Sequence, residues 1–194
     1  MKPAPCRITR AAPGDVESIL PLFDAYREFF AGSTDHASRH FLEDRLAAQE
    51  SVIFVAWDGA VAAGFIQLYP LWSSWYCRRI WFLSDLFVAQ PARGRSIGAS
   101  LVARAIAYAD ETGAASVMVE LPRREPYLTE FYAKLGFAKD EVFELARYLP
   151  GQTHEHLHEH EHYDGTVHSH AHTHGGSDHD HDHQHDGSSR DAAP

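Results

Sequence analysis

Cysteine is scarce in this chain: Cys6 and Cys77 are the only two among 194 residues. That is too few for a disulfide framework, and their spacing matches no metal knuckle. Long apolar runs are missing as well. Residues 1–10 hold no signal-peptide core, and no stretch approaches the length of a membrane span. A basic surface is also lacking, since 17 Lys and Arg stand against 27 Asp and Glu, a formal charge of −10. This argues against a nucleic-acid or anionic-membrane partner. Neither the P-loop nor the early three-glycine dinucleotide fingerprint occurs. Together these absences lead us to expect a cytoplasmic protein with reduced thiols, bound to neither nucleic acid nor membrane.

The charge is not evenly spread. Residues 151–194 carry nine acids and one base, so the remaining 150 residues are near neutral. The same 44 residues contain thirteen of the fifteen histidines and no Ile, Phe, Trp or Met. A segment so poor in apolar surface cannot offset the entropy of ordering, which predicts a disordered tail. The boundary near Pro150–Gly151 divides a folded domain, 1–150, from a His/Asp/Glu-rich tail, 151–194.

Within 1–150, periodicity predicts a strand at 6–10 and a helix opened by Pro13-Gly14-Asp15. In that helix Val16, Ile19, Leu20, Phe23 and Tyr26 recur at helical spacing. A second helix is expected over 38–49. Strands at 51–57 and 60–69 are joined by the hairpin signal Asp58-Gly59. Residues 70–78 read as a loop, 79–88 as a long strand, then a helix to about 112, a strand at 115–121, a helix at 126–135 and a closing strand at 142–149. The order β-α-α-β-β-β-α-β-α-β argues for a mixed α/β sheet with helices on its faces.

Two motifs carry chemistry. Residues 83–102 read LSDLFVAQPARGRSIGASLV, a strand that passes through a Pro-and-Gly loop into a helix. Such a turn aims first-turn amides and the positive end of a helix dipole at a phosphate. Arg93 and Arg95 could add charge at the rim, and small residues let the backbone close on a ligand. Residues 131–137 read FYAKLGF and set Tyr132 on a helix that stops at Gly136. On the glycines alone, an ordinary strand-to-helix turn fits as well.

Taken together, LFV-x-x-x-x-RG-x-x-IG-x-x-L and FY-x-KLGF resemble the GNAT family of acetyl-CoA-dependent N-acetyltransferases over residues 6–149. The resemblance implies a mixed, mostly antiparallel sheet splayed between its middle strands and flanked by helices. Acetyl-CoA would be the cosubstrate. Leu86, Phe87 and Val88 would meet its pantetheine arm, and Arg93, Gly94, Arg95, Ser96, Ile97, Gly98 and Ala99 its pyrophosphate. Ser96 stands where the family has a middle glycine. Glu125 stands where it often has a cofactor-contacting asparagine, seven residues before the tyrosine. Tyr132 matches the tyrosine that protonates the departing thiolate, a role suited to a phenol of pKa about 10; plain packing on a helix face is the bland alternative. Homodimers are common in families that look like this one.

The base is less defined. Polyamine-acetylating relatives often carry a glutamate at the position of Ser84, which here precedes Asp85. Alternation predicts that Ser84 and Asp85 face opposite sides of the sheet. A water-mediated base helped by Ser84, Asp85 as a structural residue, and Glu120 all stay open. The aromatics Tyr69, Trp72, Trp75 and Trp81 suggest a wall for an amine or its aliphatic chain. The expected acceptor is a primary amine of a small molecule, polyamine-like or amino-acid-like, attacking the thioester directly.

The tail points to divalent transition metals. His154, His156, His158, His160 and His162 alternate with Glu and Leu. His168, His170, His172 and His174 follow, then His179, His181, His183 and His185 among aspartates. Neutral imidazoles with interleaved carboxylates favour Zn or Ni at several exchangeable sites, none required for acetyl transfer. The alternative from another class is a metal-handling protein, buffering or sensing Zn or Ni, whose folded domain is regulatory or vestigial.

Overall fold

In the computed structural model the described residues are 6–31, 37–122 and 125–142, with the backbone of 154–161 and 167–174. Residues 1–139 and 140–194 form two separate compact units.

The first unit is built on a five-stranded sheet in the order β1-β2-β3-β4-β5. Its strands are β1 (Arg7–Arg10), β2 (Val52–Asp58), β3 (Val61–Ser73), β4 (Arg78–Val88) and β5 (Ser116–Val119). The first four are antiparallel neighbours, and β4 pairs with β5 in parallel. The mixed α/β sheet expected from the sequence is therefore present. Helices α1 (Val16–Ala31), α2 (Ala37–Ala47), α3 (Ile97–Glu111) and α4 (Pro126–Ala133) complete the unit. Among the described residues no helix is long and apolar enough to cross a membrane.

Two apolar layers sandwich the sheet. Ile19, Phe23, Leu42 and Leu46 of α1 and α2 pack on Ile53, Val55, Phe65 and Phe87. On the other face Leu101, Val102 and Ala105 of α3, with Tyr132 of α4, pack on Phe54, Ile66, Trp81 and Leu83. The alternation of β2 and β3 feeds both layers, as strands covered on both faces must.

Local chemistry sets the boundaries. Asp15 accepts the Ala12 N–H at 2.8 Å and so caps the turn that feeds α1. Gly59 takes φ +64° in the tight β2–β3 connection, where Asp58 pairs with Val61. The predicted loop at 70–78 is mostly strand, because Tyr69–Ser73 pairs onward with Arg78–Phe82. Pro70 fits there because β2 pairs no further along β3 than Leu68, leaving that edge open beyond it. The expected closing strand lies outside the described residues, apart from Val142, which is not in a strand.

The second unit holds a pair of strands. Two parts of the tail are paired: β6 (His154–Glu161) and β7 (Val167–His174) form an antiparallel ladder. Alternating Thr, Val and His are compatible with extended backbone even without a core.

Gly64 is where α3 meets the sheet. A Cβ there would stand 3.0 Å from the Phe87 carbonyl oxygen and 3.2 Å from Ile97 Cγ2. The backbone atom cannot step aside, so Gly64→Ala should lower stability by about 1–3 kcal/mol. Gly98→Ala meets only ordinary contacts inside α3, at 3.7 and 3.8 Å, and should hold or raise thermal stability, by up to about 1 kcal/mol. Melting temperatures of the two variants check this contrast.

Candidate active site

β4 is irregular at its centre. Gln67 pairs with Asp85 and the next residue, Leu68, pairs with Leu83, which leaves Ser84 as a bulge. The bulge breaks the alternation assumed from the sequence. Trp81 and Leu83 face α3, whereas Phe87 beyond it belongs to the α1–α2 layer. Ser84 and Asp85 therefore share one cavity instead of facing opposite sides.

That cavity has a volume of about 310 Å³, near the lower end for small-molecule sites. Phe23, Tyr26 and Arg27 of α1 line one side, with Ser38 and Phe41 of α2 beside them. Tyr69, Ser84 and Asp85 form the sheet side. The Tyr26 hydroxyl donates to the Asp85 carboxylate, and Ser84 bonds to it as well. Burial raises the Asp85 carboxyl above the usual carboxylate range, partly opposed by those two hydroxyls. Burial and the neighbouring Asp85 also push the Tyr69 phenol up to about 12. Gln67 Nε2 donates to Tyr69 Oη at 3.0 Å and to Ser51 Oγ at 2.8 Å, fixing the tyrosine from below.

Only Tyr69 of the expected aromatic wall reaches this cavity. Trp81 faces the α3 layer, where its Nε1 donates to Thr112 Oγ1 at 2.9 Å and its ring packs on Tyr108. Trp72 and Trp75 are 73% and 76% exposed near the β3–β4 turn. Trp72 stacks under Arg79. The rings that do line the cavity, Phe23, Tyr26 and Phe41, sit on helices that read as ordinary core stripes. One signal was available: a tyrosine on an apolar helix face needs a buried partner for its hydroxyl.

The second half of the site lies along β4 and the start of α3. Pairing with β5 ends at Leu83–Val119, so Leu86–Val88 keep β3 on one side and leave β5 behind. The next turn brings Gly94 at φ +76° and Ser96 at φ +59° into α3. Ser96 is the N-cap, and the first helical bond runs from the Ser100 N–H to its carbonyl. The amides of Ile97, Gly98 and Ala99 thus have no acceptor within the helix. No Cβ-sized obstacle lies at Gly94. These features fit an extended ligand with a pyrophosphate.

The arginines do not stand free at the rim. Arg93 Nε donates to the Val88 carbonyl at 3.0 Å, and its guanidinium lies over Phe29 and Phe87. Arg95 is ion-paired with Asp58. Glu125 stands at the N-cap position of α4 without a side-chain capping bond, and it accepts the Tyr127 hydroxyl at 2.6 Å. Tyr132 is 4% exposed, edge-on to Phe131 and Phe137, and burial pushes its phenol up to about 12. Phe131 also reaches the first turn of α3, so α4 stands beside that helix start.

Residues 19–137 match the model of the acetyltransferase (GNAT) family. The chain belongs to this family. It is 36% identical over 137 residues to an uncharacterised N-acetyltransferase of Bacillus subtilis, covering 70% of this chain and 92% of that one. A probable acetyltransferase of Haemophilus influenzae is 32% identical, covering 72% of this chain and 97% of its own length. The crystal structure of a probable acetyltransferase aligns with a TM-score of 0.71 at 34% identity, over 75% of this chain and 99% of that one. The protein is an acetyl-CoA-dependent N-acetyltransferase. Among the described residues no cluster of three or more His, Cys, Asp or Glu could hold a metal. The tail's histidine side chains lie outside the described residues.

Ser96 carries a conformational cost that a glycine would not, about 1–2 kcal/mol for an L residue in the left-handed region. Ser96→Gly should therefore raise the melting temperature by a few degrees, corresponding to up to about 1 kcal/mol. Differential scanning calorimetry checks it, and a lower melting temperature would contradict the strain.

Proposed function

We propose that this acetyltransferase moves an acetyl group to a primary amine of a small molecule by direct attack. One observation carries the reading. Within five residues, β4 presents an edge released from β5 and, at Ser84 and Asp85, a carboxyl-lined cavity. Acetyl-CoA supplies an activated thioester and a thiolate leaving group. The edge at Leu86–Val88 receives its extended arm, and the α3 amides from Gly94 to Ala99 hold its pyrophosphate. Because Arg93 and Arg95 are already engaged, that hold rests mainly on amides and the helix dipole.

Asp85 takes the proton that a protonated amine must lose before its lone pair is available. Its raised proton affinity suits that task, since a base closer in pKa to the amine accepts more readily. Tyr132 keeps its proton throughout the physiological range and delivers it to the departing sulfur. As the C–N bond forms and the C–S bond breaks, the amine's second proton passes to water, the tyrosinate left behind is reprotonated from solvent, and Asp85 gives up its proton there. The comparisons leave the acceptor undefined, whether polyamine-like or amino-acid-like.

A separate proposal concerns the tail. The ladder pairs His154 with His174, His156 with His172, His158 with His170 and His160 with His168. Neutral imidazoles at paired register positions suit divalent ions such as Zn or Ni. This accessory binding is compatible with a metal-handling role, although acetyl transfer needs no metal in the mechanism above.

Tyr132→Phe should lower kcat by about 10²-fold while acetyl-CoA binding changes little. Thiol release and calorimetry measure the two separately, and unchanged turnover would remove the proposed role. Replacing His168, His170, His172 and His174 by Ala should reduce Zn stoichiometry without changing turnover in chelator-treated full-length protein. Metal-dependent turnover would instead mean that metal on the tail regulates the enzyme.

A further inference from the structure

Resting on that reading, we infer that Tyr26, Ser84 and Asp85 form an ammonium cup, and that the acceptor is a primary amine on a short apolar or aromatic stem. Tyr26 is a positioning residue in this cup, acting through Asp85.

The carboxylate comes first. Asp85 is held by two hydroxyls, from Tyr26 and Ser84, and burial is the largest influence on its proton affinity. Among the described residues no arginine or lysine is ion-paired with it. A carboxylate accepts at about four lone-pair sites, so two hydroxyl bonds leave capacity for a ligand N–H. A cation delivered by substrate would offset the desolvation that burial imposes.

The walls select the stem. Phe23 stacks on Phe41 at 5.7 Å, and both line the cavity with Tyr26 and Tyr69. Aromatic faces attract an ammonium and its adjoining methylenes. The cavity's volume of about 310 Å³ suits a small acceptor. Arg27, held at 2.9 Å to Ser38 Oγ on the α2 side, lines the same space. A second ammonium on the acceptor would be desolvated against these apolar walls, with no second carboxylate among the lining residues to offset it, which disfavours polyamines.

Tyr26 is fixed by more than its hydroxyl. Its ring lies edge-on to Phe65 at 5.5 Å and to Phe87 at 5.9 Å. Phe87 follows Asp85 on the same strand, beyond the bulge. The ring geometry therefore holds the phenol against the carboxylate whether or not an amine is present. Loss of the hydroxyl alone should leave the packing intact and free the carboxylate to rotate.

The experiment uses the full chain and a panel of butylamine, phenethylamine, spermidine and glycine, with calorimetry of acetyl-CoA alongside. Wild type should turn over phenethylamine and butylamine with kcat/KM at least tenfold above spermidine and glycine. Asp85→Asn should raise the amine KM by at least tenfold and leave the acetyl-CoA Kd unchanged. Tyr26→Phe should raise KM several-fold and move the acidic limb of the kcat/KM profile to higher pH. That sign follows because the Tyr26 bond stabilises the ionised carboxyl, so its loss raises the pKa. Asp85 faces Tyr26 and Arg27 of α1, Tyr69 of β3 and Ser84 of β4; the α2 side adds Ser38 and Phe41, which do not titrate here. A limb that stays in place in a folded Tyr26→Phe protein would overturn the positioning role. Preference for spermidine or glycine, or an Asp85→Asn variant with unchanged KM, would overturn the cup while leaving acetyl transfer standing. Failure of wild type to bind acetyl-CoA would overturn both.

Discussion

Most of the molecule's polar organisation follows from one extra residue in β4. If β3 and β4 kept strict alternation past Leu83, Asp85 would follow Trp81 and Leu83 into the apolar layer under α3. A carboxyl there would be desolvated with few donors, at a cost of several kcal/mol. The bulge at Ser84 rotates the rest of the strand by half a turn. Asp85 and Phe87 move to the α1–α2 side, and Leu86 and Val88 pack towards α3 instead. β5 pairing also ends at Leu83. One irregularity thus turns a carboxyl into a cavity and coincides with the point where a strand edge is released.

The start of α3 shows a related trade between strain and placement. Ser96 occupies a left-handed conformation that a β-carbon disfavours, and its side chain makes no capping bond. Cα geometry at this point decides where the first-turn amides aim, so the turn is kept although the residue is not glycine. The neighbouring arginines stabilise the scaffold: Arg95 ties the turn to Asp58 at the β2–β3 corner, and Arg93 braces Val88 and two phenylalanines. Their charges are partly spent before any anion arrives.

Much of the fold was legible because its elements obey simple periods. The stripe through Ile19 and Phe23, the Asp58-Gly59 corner and the glycine-rich entry to α3 are local signals, and the elements formed near them. The two sequence motifs also led to the family. The cavity was less legible for physical reasons. A bulge leaves no mark in a strand composed of ordinary apolar residues, so Ser84 and Asp85 were assigned to opposite faces. Trp72, Trp75 and Trp81 were grouped by closeness in sequence, yet a long hairpin sends two outward and one into the α3 layer. Tyr26 and Phe41 reach the cavity from helices far away in sequence, which only tertiary packing brings together.

Stability alone gives little reason for Asp85 to persist. A buried carboxylate bound by two neutral hydroxyls recovers only part of what it loses in leaving water, because each such bond contributes roughly 1–3 kcal/mol. Well-packed apolar groups in place of buried ions are often neutral or stabilising. The ring of Tyr26 beside it already packs against Phe23, Phe65 and Phe87. An aliphatic residue at position 85 would extend that layer without an unpaired charge. A carboxyl retained at such a place, poised by burial and oriented by a phenol, is better explained by what enters the cavity than by what surrounds it.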